Sequence, residues 1–365
     1  MALNCGIIGL ANCGKTTLYN CMSTTKAQTT NFAFSSNKSN ISIVTVPDER
    51  LYVLEKLVKA AKVVHATVEI VDIPGLTKGS SKGEGVGNTF LSDIQQTDAL
   101  IHVVRCFDDE NLPHIEGSVN PVRDREIVDL ELQIRDLDLV ERKIKRTEKL
   151  IKAGDKDAKK TLDILIKYKD HLESFQSARS LDISDEDRKA ARDQGLLTEK
   201  PMIYVCNVDD ASAVTGNKYV EQFRESVKNE NAQVLVVACK LEEEISELES
   251  LEDRMEFLKD VGLTQPGVDM VIRSAYDLLK LRTFFTAGPM EARAWTVKAG
   301  STAPKAAGVI HSDLEKGFIR AEVMKYADFA ALKSEHACKE AGKLSVEGKN
   351  YVIGEGDILH IRFNV

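Results

Sequence analysis

Long hydrophobic runs are absent from this chain of 365 residues. The longest run, residues 234–239, has six residues, whereas a membrane helix needs roughly 18. The N-terminus also lacks the basic segment of a secretory signal, and Asn12 and Lys15 interrupt its apolar stretch. We therefore expect no membrane contact and a cytoplasmic location.

Cysteine pairs and an excess of positive charge are missing as well. The seven cysteines form no C-x-x-C pair, which argues against structural zinc and a disulfide scaffold and predicts reduced, packed thiols. The net charge of −8 argues against indiscriminate nucleic-acid binding, and we expect no recognition of DNA sequence. The apolar share of 43% and the charged share of 29% are typical of globular proteins, and the length predicts two or three domains.

Five short apolar, β-branched runs alternate with helical stretches along the chain. They lie at residues 3–9, 68–71, 100–104, 202–206 and 233–238. Runs of this kind predict a mostly parallel sheet that is covered on both faces. The fold class that we expect is therefore α/β, with residues 1–125 and 200–281 forming the sheet domain.

Residues 126–199 differ in composition, because they contain no proline and glycine only at Gly154 and Gly195. Apolar residues recur every seven positions, as in a coiled coil: Leu130, Leu137, Ile144 and Ile151, with Ile127 and Ile134 three positions ahead of the first two. We predict an inserted antiparallel helical hairpin that turns near Gly154.

Cations cluster around the predicted tip of this hairpin. They are Arg142, Lys143, Lys145, Arg146, Lys149, Lys152, Lys156, Lys159 and Lys160. Two interpretations remain open, a solvated helix surface and a nucleic-acid contact. The chain then ends in residues 282–365, where short β-rich pieces alternate with turns and predict a separate small α+β domain.

The strongest motif is GLANCGKT at residues 9–16, which follows a predicted strand and precedes a predicted helix. It matches G-x-x-x-x-G-K-[ST], the loop whose backbone N–H groups hold the phosphates of a nucleotide. Lys15 can reach the β- and γ-phosphates, and the Thr16 hydroxyl can ligate Mg²⁺. The predicted nucleotide-binding residues here are Asn12, Cys13, Gly14, Lys15, Thr16 and Thr17.

A second motif, DIPG at residues 72–75, closes the second predicted strand. The Asp72 carboxylate can hold the magnesium ion through water, and the Gly75 amide can sense the γ-phosphate. Together with the first motif, it is typical of a switch-type nucleoside triphosphatase.

A third motif, NVDD at residues 207–210, occupies the position of the base-reading N-K-x-D sequence of GTPases. An Asp210 carboxylate can accept hydrogen bonds from guanine, which favours GTP, whereas Val208 in place of the lysine disfavours it. Residues 238–240, ACK, stand where a last base-supporting loop belongs.

These motifs, in this order, resemble those of the YchF family, also called Obg-like ATPases, within the Obg-related P-loop NTPases. The resemblance covers nearly the whole chain, and the stretches that carry it lie at residues 79–88, 102–107, 284–288 and 306–323. It implies a P-loop NTPase domain, a coiled-coil insert and a C-terminal TGS domain of the β-grasp fold. It also implies hydrolysis of ATP in preference to GTP, and the ribosome or ribosomal RNA as partner.

The sequence departs from the family pattern at two binding positions. Asp210 stands where the N-x-x-E motif of the family has glutamate, and by the resemblance Asn207 would meet the base edge and Val208 would lie against the ring. Residues 31–36, NFAFSS, are similar to the family's N-F-P-F-C-T, so that Ser36 replaces a magnesium-binding threonine.

The glutamine that orients the attacking water in Ras-like enzymes is also missing, because Leu76 follows the second motif. The family's proposed substitute is a histidine on a mobile loop, which matches His114; the alternative is a surface histidine without a role. We expect His102, which lies in an apolar run, to be a packed core residue. Asn12 is a candidate for binding a monovalent cation, K⁺, beside the phosphates.

Two further functions remain open at this point. One is a GTPase of the same fold, which Asp210 favours. The other is a nucleotide-dependent ribosome- or RNA-binding protein in which hydrolysis is incidental, which the missing glutamine favours.

Overall fold

Two six-stranded sheets and an extended helical hairpin make up the computed structural model of the chain. It describes residues 3–24, 40–75, 86–155, 157–184, 186–188, 195–248 and 250–364. The strands are β1 (Asn4–Ile8), β2 (Asn40–Thr45), β3 (Val63–Val64), β4 (Thr67–Asp72), β5 (Ala99–Arg105), β6 (Met202–Asn207), β7 (Val234–Val237), β8 (Leu281–Ala287), β9 (Ala292–Lys298), β10 (Phe318–Lys325), β11 (Leu344–Glu347) and β12 (Asp357–Phe363).

Helices cover both sheets and form the hairpin. They are α1 (Lys15–Thr24), α2 (Glu49–Val58), α3 (Val86–Gln95), α4 (Pro121–Lys152), α5 (Asp157–Glu173), α6 (Lys218–Val227), α7 (Cys239–Glu247), α8 (Leu251–Asp260), α9 (Gly267–Leu278), α10 (Ala303–Ile310), α11 (Ser312–Lys316), α12 (Tyr326–Leu332) and α13 (Glu335–Glu340). None of these helices combines the length and the apolarity that crossing a bilayer requires.

The first sheet has the strand order β2-β4-β1-β5-β6-β7. All neighbours in it are parallel except β2, which runs antiparallel to β4. The prediction of a mostly parallel sheet is therefore confirmed, and the five predicted runs are β1, β4, β5, β6 and β7. The edge strand β2 was not predicted, because its two isoleucines, Ile41 and Ile43, remain exposed and its pattern does not resemble that of a buried strand.

The predicted hairpin is formed by α4 and α5, and an ion pair between Lys169 and Glu141, 3.3 Å apart, joins the two antiparallel helices. Its first helix begins at Pro121, earlier than the predicted residue 126, because Asn120 caps the helix by accepting a hydrogen bond from the Arg123 N–H. Proline at the first position of a helix loses no hydrogen bond.

The predicted heptad seam is wrong for the first turns of α4. Leu130 and Ile134 are 39% and 40% exposed, whereas Val128 and Leu132 are fully buried. The reason is that the first turns of α4 pack on the core of the sheet domain. The contact with α5 involves residues further along, around Val140.

The second sheet has the order β11-β10-β12-β8-β9-β3. The small face of α10, with Ala303, Ala306 and Ala307, packs on it against Phe284 and Phe318. This arrangement agrees with the α+β unit expected at the C-terminus. The short strand β3, however, comes from the sheet domain and pairs with β9, so the sheet domain contributes the edge strand of the second sheet.

All seven cysteines lie within the described residues, where they are buried and form no disulfide. Burial raises the pKa of Cys13 and of Cys239, since a thiolate is poorly solvated in an apolar environment. These thiols therefore act as small packed side chains, as expected from the sequence.

Candidate functional site

The phosphate loop joins the end of β1 to the start of α1. Its backbone has positive φ at Gly9 (146°), Asn12 (61°) and Gly14 (100°). A side chain at Gly14 would place its Cβ atom 2.2 Å from Nδ2 of Asn207, so only glycine fits there. The loop therefore reaches the N-terminus of a helix in the conformation that binds phosphate groups.

Lys15 lies at the centre of this loop and is 6% exposed. Its Nζ atom donates a hydrogen bond to the Leu10 carbonyl oxygen, 2.6 Å away. Gly75 approaches from the DIPG motif, where a Cβ atom would lie 3.0 Å from Lys15 Nζ and 3.2 Å from Ala11 Cα. The structure thus brings together the lysine and the glycine that the sequence assigned to phosphate contact.

Thr16 and Asp72 form a second pair of predicted residues that meet. The Thr16 Oγ1 atom donates to Oδ2 of Asp72 at 3.4 Å, while Oδ1 of Asp72 is buried and has no hydrogen-bond partner within the described residues. Burial raises the pKa of Asp72, and Lys15 and the Thr16 hydrogen bond oppose this shift. A hydroxyl and an unsatisfied carboxylate oxygen fit Mg²⁺, which prefers oxygen ligands.

Some predicted residues cannot be placed. Ser36 and Leu76 lie outside the described residues, and so does most of the 79–88 stretch. Thr17, in contrast, lies in the first turn of α1, directly after the phosphate loop.

Asn207 occupies a supporting position at the base end of the site. Its Nδ2 atom donates to the Cys13 carbonyl at 3.0 Å, and its Oδ1 atom accepts from the Cys239 N–H at 3.1 Å. The side chain therefore ties the phosphate loop to the start of α7. In this arrangement both ends of the amide are bound within the protein, which differs from the expected contact with the base edge.

The expectation for Val208 also needs correction. Val208 is 2% exposed and packs in the core of the sheet domain, so its side chain is not open to a ligand. Asp210, in contrast, is exposed at the start of a short 3-10 turn, Asp210–Ser212. Asp209 is exposed as well, and its Oδ1 atom accepts a hydrogen bond from the Ser212 N–H, 2.9 Å away.

His114 is neither a surface residue nor free to rotate. Its Nε2 atom lies 2.8 Å from Oδ2 of Asp124, and the side chains are 6% and 5% exposed. Its Nδ1 atom accepts a hydrogen bond from the Glu116 N–H at 3.1 Å. The neighbouring Pro113 carbonyl is 3.5 Å from Nδ2 of Asn12, so the histidine loop abuts the phosphate loop.

Arg105 organises this histidine loop from within. Its guanidinium group donates to the carbonyl oxygens of Phe107, Asp109 and Leu112, at 3.0, 3.4 and 2.8 Å. It also lies over the Phe107 ring, 4.7 Å from the centroid. A buried cation thus determines the path of the chain toward His114.

Sequence reasoning did not find Arg105 and Asp124 as site residues. Arg105 lies within residues 102–107, one of the stretches that resemble the family, and nothing in the sequence distinguishes it from its neighbours there. Asp124 becomes recognisable only once α4 is known to begin at Pro121. His102 is a core residue as expected: it is 1% exposed, and burial lowers its pKa to about 3.

The fold and the site together define a class. A parallel sheet whose first strand leads through a glycine-rich loop into a helix, with Lys15, Thr16, Asp72 and Gly75 converging on that loop, is a P-loop nucleoside triphosphatase.

Comparisons with known proteins narrow this class. Residues 4–167 match the family model described as 50S ribosome-binding GTPase, and residues 281–364 match YchF-GTPase_C, described as a protein of unknown function. Proteins named ribosome-binding ATPase YchF from Bacillus subtilis and Escherichia coli O157:H7 are 48% and 46% identical to the chain, over 100% of both sequences in each case. The structure of the Schizosaccharomyces pombe YchF GTPase matches with a TM-score of 0.88 at 34% identity, covering 99% of this chain and 97% of that one. The chain belongs to the YchF family.

Proposed function

We propose that this chain is a Mg²⁺-dependent nucleotide switch of the cytoplasm that hydrolyses ATP, in preference to GTP, to ADP and phosphate, and that it acts on or with the ribosome. The observation that carries the proposal is the convergence of Lys15 and Gly75 on the phosphate loop, beside the Thr16–Asp72 pair. Conformational change, driven by the bound nucleotide, is the output.

Each of these residues has a distinct task in the proposal. Lys15 and the loop amides neutralise the phosphate charge, which is the main contribution to catalysis in such enzymes. Thr16 and Asp72, with Ser36, would hold the magnesium ion, which would supply further neutralisation of the phosphate charge. His114 orients the attacking water in place of the missing glutamine, and Asn12 at the loop tip binds K⁺.

The base preference is supported by the buried Val208, which stands where the N-K-x-D motif of GTPases has lysine, and by relatives that are named ATPases. Asn207 and Val208 contribute indirectly to the base site, because Asn207 holds the phosphate loop against α7 and Val208 packs in the core beneath the motif. The exposed Asp210 supports the alternative of GTP, and the Schizosaccharomyces pombe relative is named a GTPase.

The hairpin supports the ribosomal partner. Several of its cations are exposed and form no ion pair with any described residue: Lys145, Arg146, Lys149 and Lys152. Exposed cations without ion-pair partners near the tip of a helical hairpin are suited to bind the phosphates of RNA. The alternative to an ATP-hydrolysing switch is a nucleotide-dependent ribosome- or RNA-binding protein in which hydrolysis is incidental.

Calorimetric titration of the nucleotide-free protein with ATP and with GTP, in the presence of magnesium, tests the proposal. We expect ATP to bind at least tenfold more tightly, a difference of about 1.4 kcal/mol. Tighter GTP binding would assign the protein to the GTPases instead.

Phosphate release by the variant Lys15→Ala tests the site itself. We expect no detectable hydrolysis, because the variant lacks the lysine charge at the β- and γ-phosphates. Exposed Lys218, which lies outside the site, provides the matched control variant Lys218→Ala. Hydrolysis by Lys15→Ala at the wild-type rate would contradict the assignment of the phosphate site.

A further inference from the structure

We propose that Asp124 is a positioning residue that fixes the tautomer of His114 and holds its ring away from the attacking water until the loop is released. This inference rests on the proposed function, because it assigns a catalytic consequence to the position of His114. Its geometric part rests on the contacts of the ring alone.

Both nitrogen atoms of the His114 ring already have partners. Because Nδ1 accepts the Glu116 N–H at 3.1 Å, that nitrogen carries a lone pair and no proton. The single proton of the neutral ring therefore lies on Nε2, which donates to Oδ2 of Asp124 at 2.8 Å. A ring bound at both nitrogens has no atom left with which to hold a water molecule.

Asp124 is itself held firmly. Its other carboxylate oxygen, Oδ1, accepts from Nε and Nη2 of Arg123 at 3.1 and 2.8 Å. The residue lies in the first turn of α4, where the positive end of the helix dipole stabilises a negative charge. The carboxylate is therefore a strong acceptor in a fixed position.

The place of Asp124 in the fold connects the ring to the hairpin. Helix α4 has 32 residues and extends over about 48 Å at 1.5 Å per residue. One end carries Asp124, and the other carries the exposed cations of the tip. Because Pro113 already touches Asn12 of the phosphate loop, release of the ring from Asp124 frees His114 next to that loop.

The variant Asp124→Asn tests the kinetic part. It keeps the shape of the side chain but replaces a charge-assisted hydrogen bond by a weaker neutral one. We expect the single-turnover rate of ATP hydrolysis without partner to rise at least threefold, with ATP affinity within twofold of the wild type. The matched control is Glu126→Gln, which removes the same charge from an exposed position two residues further along the helix and leaves the rate unchanged. An unchanged or lower rate in Asp124→Asn would overturn the proposal.

Two further variants guard against a simple failure to fold. Arg123→Gln loosens Asp124 from outside, since the Arg123 side chain is 30% exposed, and we expect a smaller rise in the same direction. In the double variant His114→Ala/Asp124→Asn we expect the rate of His114→Ala alone, because Asp124 acts through the ring. A rise in rate that persists without His114 would exclude this route.

Nitrogen-15 NMR of the ring separates the geometry from the catalysis. The His114 signals are assigned from the spectrum of His114→Ala, and we expect the Nε2–H form in the wild type and exchange between both tautomers in Asp124→Asn. A proton on Nδ1 in the wild type would refute the positioning role. If the Nε2–H form is found but His114→Ala hydrolyses ATP like the wild type, the catalytic role of His114 fails while the geometry stands.

Discussion

At the scale of single residues, short sequence motifs indicate which side chains could contact the phosphates. They do not indicate which residues hold the loops of the site in place. Lys15, Thr16 and Gly75 can be singled out from the sequence, because the phosphates of a nucleotide demand these residue types at this spacing, and their contacts with the phosphates stay a prediction. The third motif indicates that Asn207 lies near the site, but its function could not be inferred from the sequence. Its two hydrogen bonds go to Cys13 and Cys239, which only the fold brings together. The same holds for Arg105, whose partners are backbone carbonyls that leave no trace in the sequence.

The replacement His114→Ala is predicted at this scale. Without an imidazole to orient the water, we expect the turnover of ATP to fall at least tenfold, about 1.4 kcal/mol on the barrier, while nucleotide affinity is retained. Single-turnover phosphate release and calorimetric titration measure the two quantities. The control His336→Ala removes an exposed histidine of the C-terminal unit and should change neither. Full turnover in His114→Ala would leave the ring with only its structural contacts.

At the scale of elements, periodicity predicted the hairpin but not its seam. The seven-residue repeat assumes that one partner helix covers α4 from end to end. In the fold, the first turns of α4 meet the sheet domain and the later turns meet α5. The buried face therefore changes along the helix, and a change of partner of this kind is not encoded in a regular repeat.

Neutralising the hairpin tip tests its role as an element. We expect replacement of four cations by glutamine to weaken binding to ribosomes and to reduce its salt dependence, by about 0.7 to 0.9 in slope for each RNA phosphate that the tip no longer neutralises. The four residues are Lys145, Arg146, Lys149 and Lys152.

The control replaces four exposed lysines of the sheet domain, which should leave the salt slope unchanged. These are Lys56, Lys59, Lys218 and Lys228. Binding at several salt concentrations, measured by sedimentation with ribosomes, gives the slopes. An identical slope for the tip variant would mean that the hairpin is only a solvated surface.

At the scale of the whole molecule, the two units share more than a linker. Arg50 of the sheet domain lies 2.6 Å from Glu355 and stacks over Phe285 of the C-terminal unit. A single hydrophobic core contains Leu54 and Val271 from one side together with Phe285 and Ile358 from the other. The change in composition predicts a second unit from residue 282, but it could not predict this shared core, because packing between distant segments does not change composition.

Shared packing predicts that both units unfold together. The one tryptophan of the sequence, Trp295, lies on β9, so its fluorescence reports on the C-terminal unit. ATP at a concentration of 100 times Kd stabilises the folded chain by about 2.7 kcal/mol. We expect this ligand to raise the thermal midpoint of Trp295 fluorescence as much as that of circular dichroism.

The variant Lys15→Ala, which has no lysine to bind the phosphates, serves as the control and should show a much smaller shift in both signals. If ATP raises the thermal midpoint measured by circular dichroism but leaves that measured by Trp295 fluorescence unchanged, the two units unfold separately.

The pairing of β3 with β9 also bears on how such a chain can be rearranged over time. Val63 and Val64 are hydrogen-bonded neighbours of Ala292 and Arg293, although more than two hundred positions of sequence separate them. Recombination that exchanged the last segment for an unrelated module would leave this strand without its neighbour. The C-terminal unit is therefore no interchangeable cassette, and it should be inherited together with the nucleotide site rather than shuffled between genes.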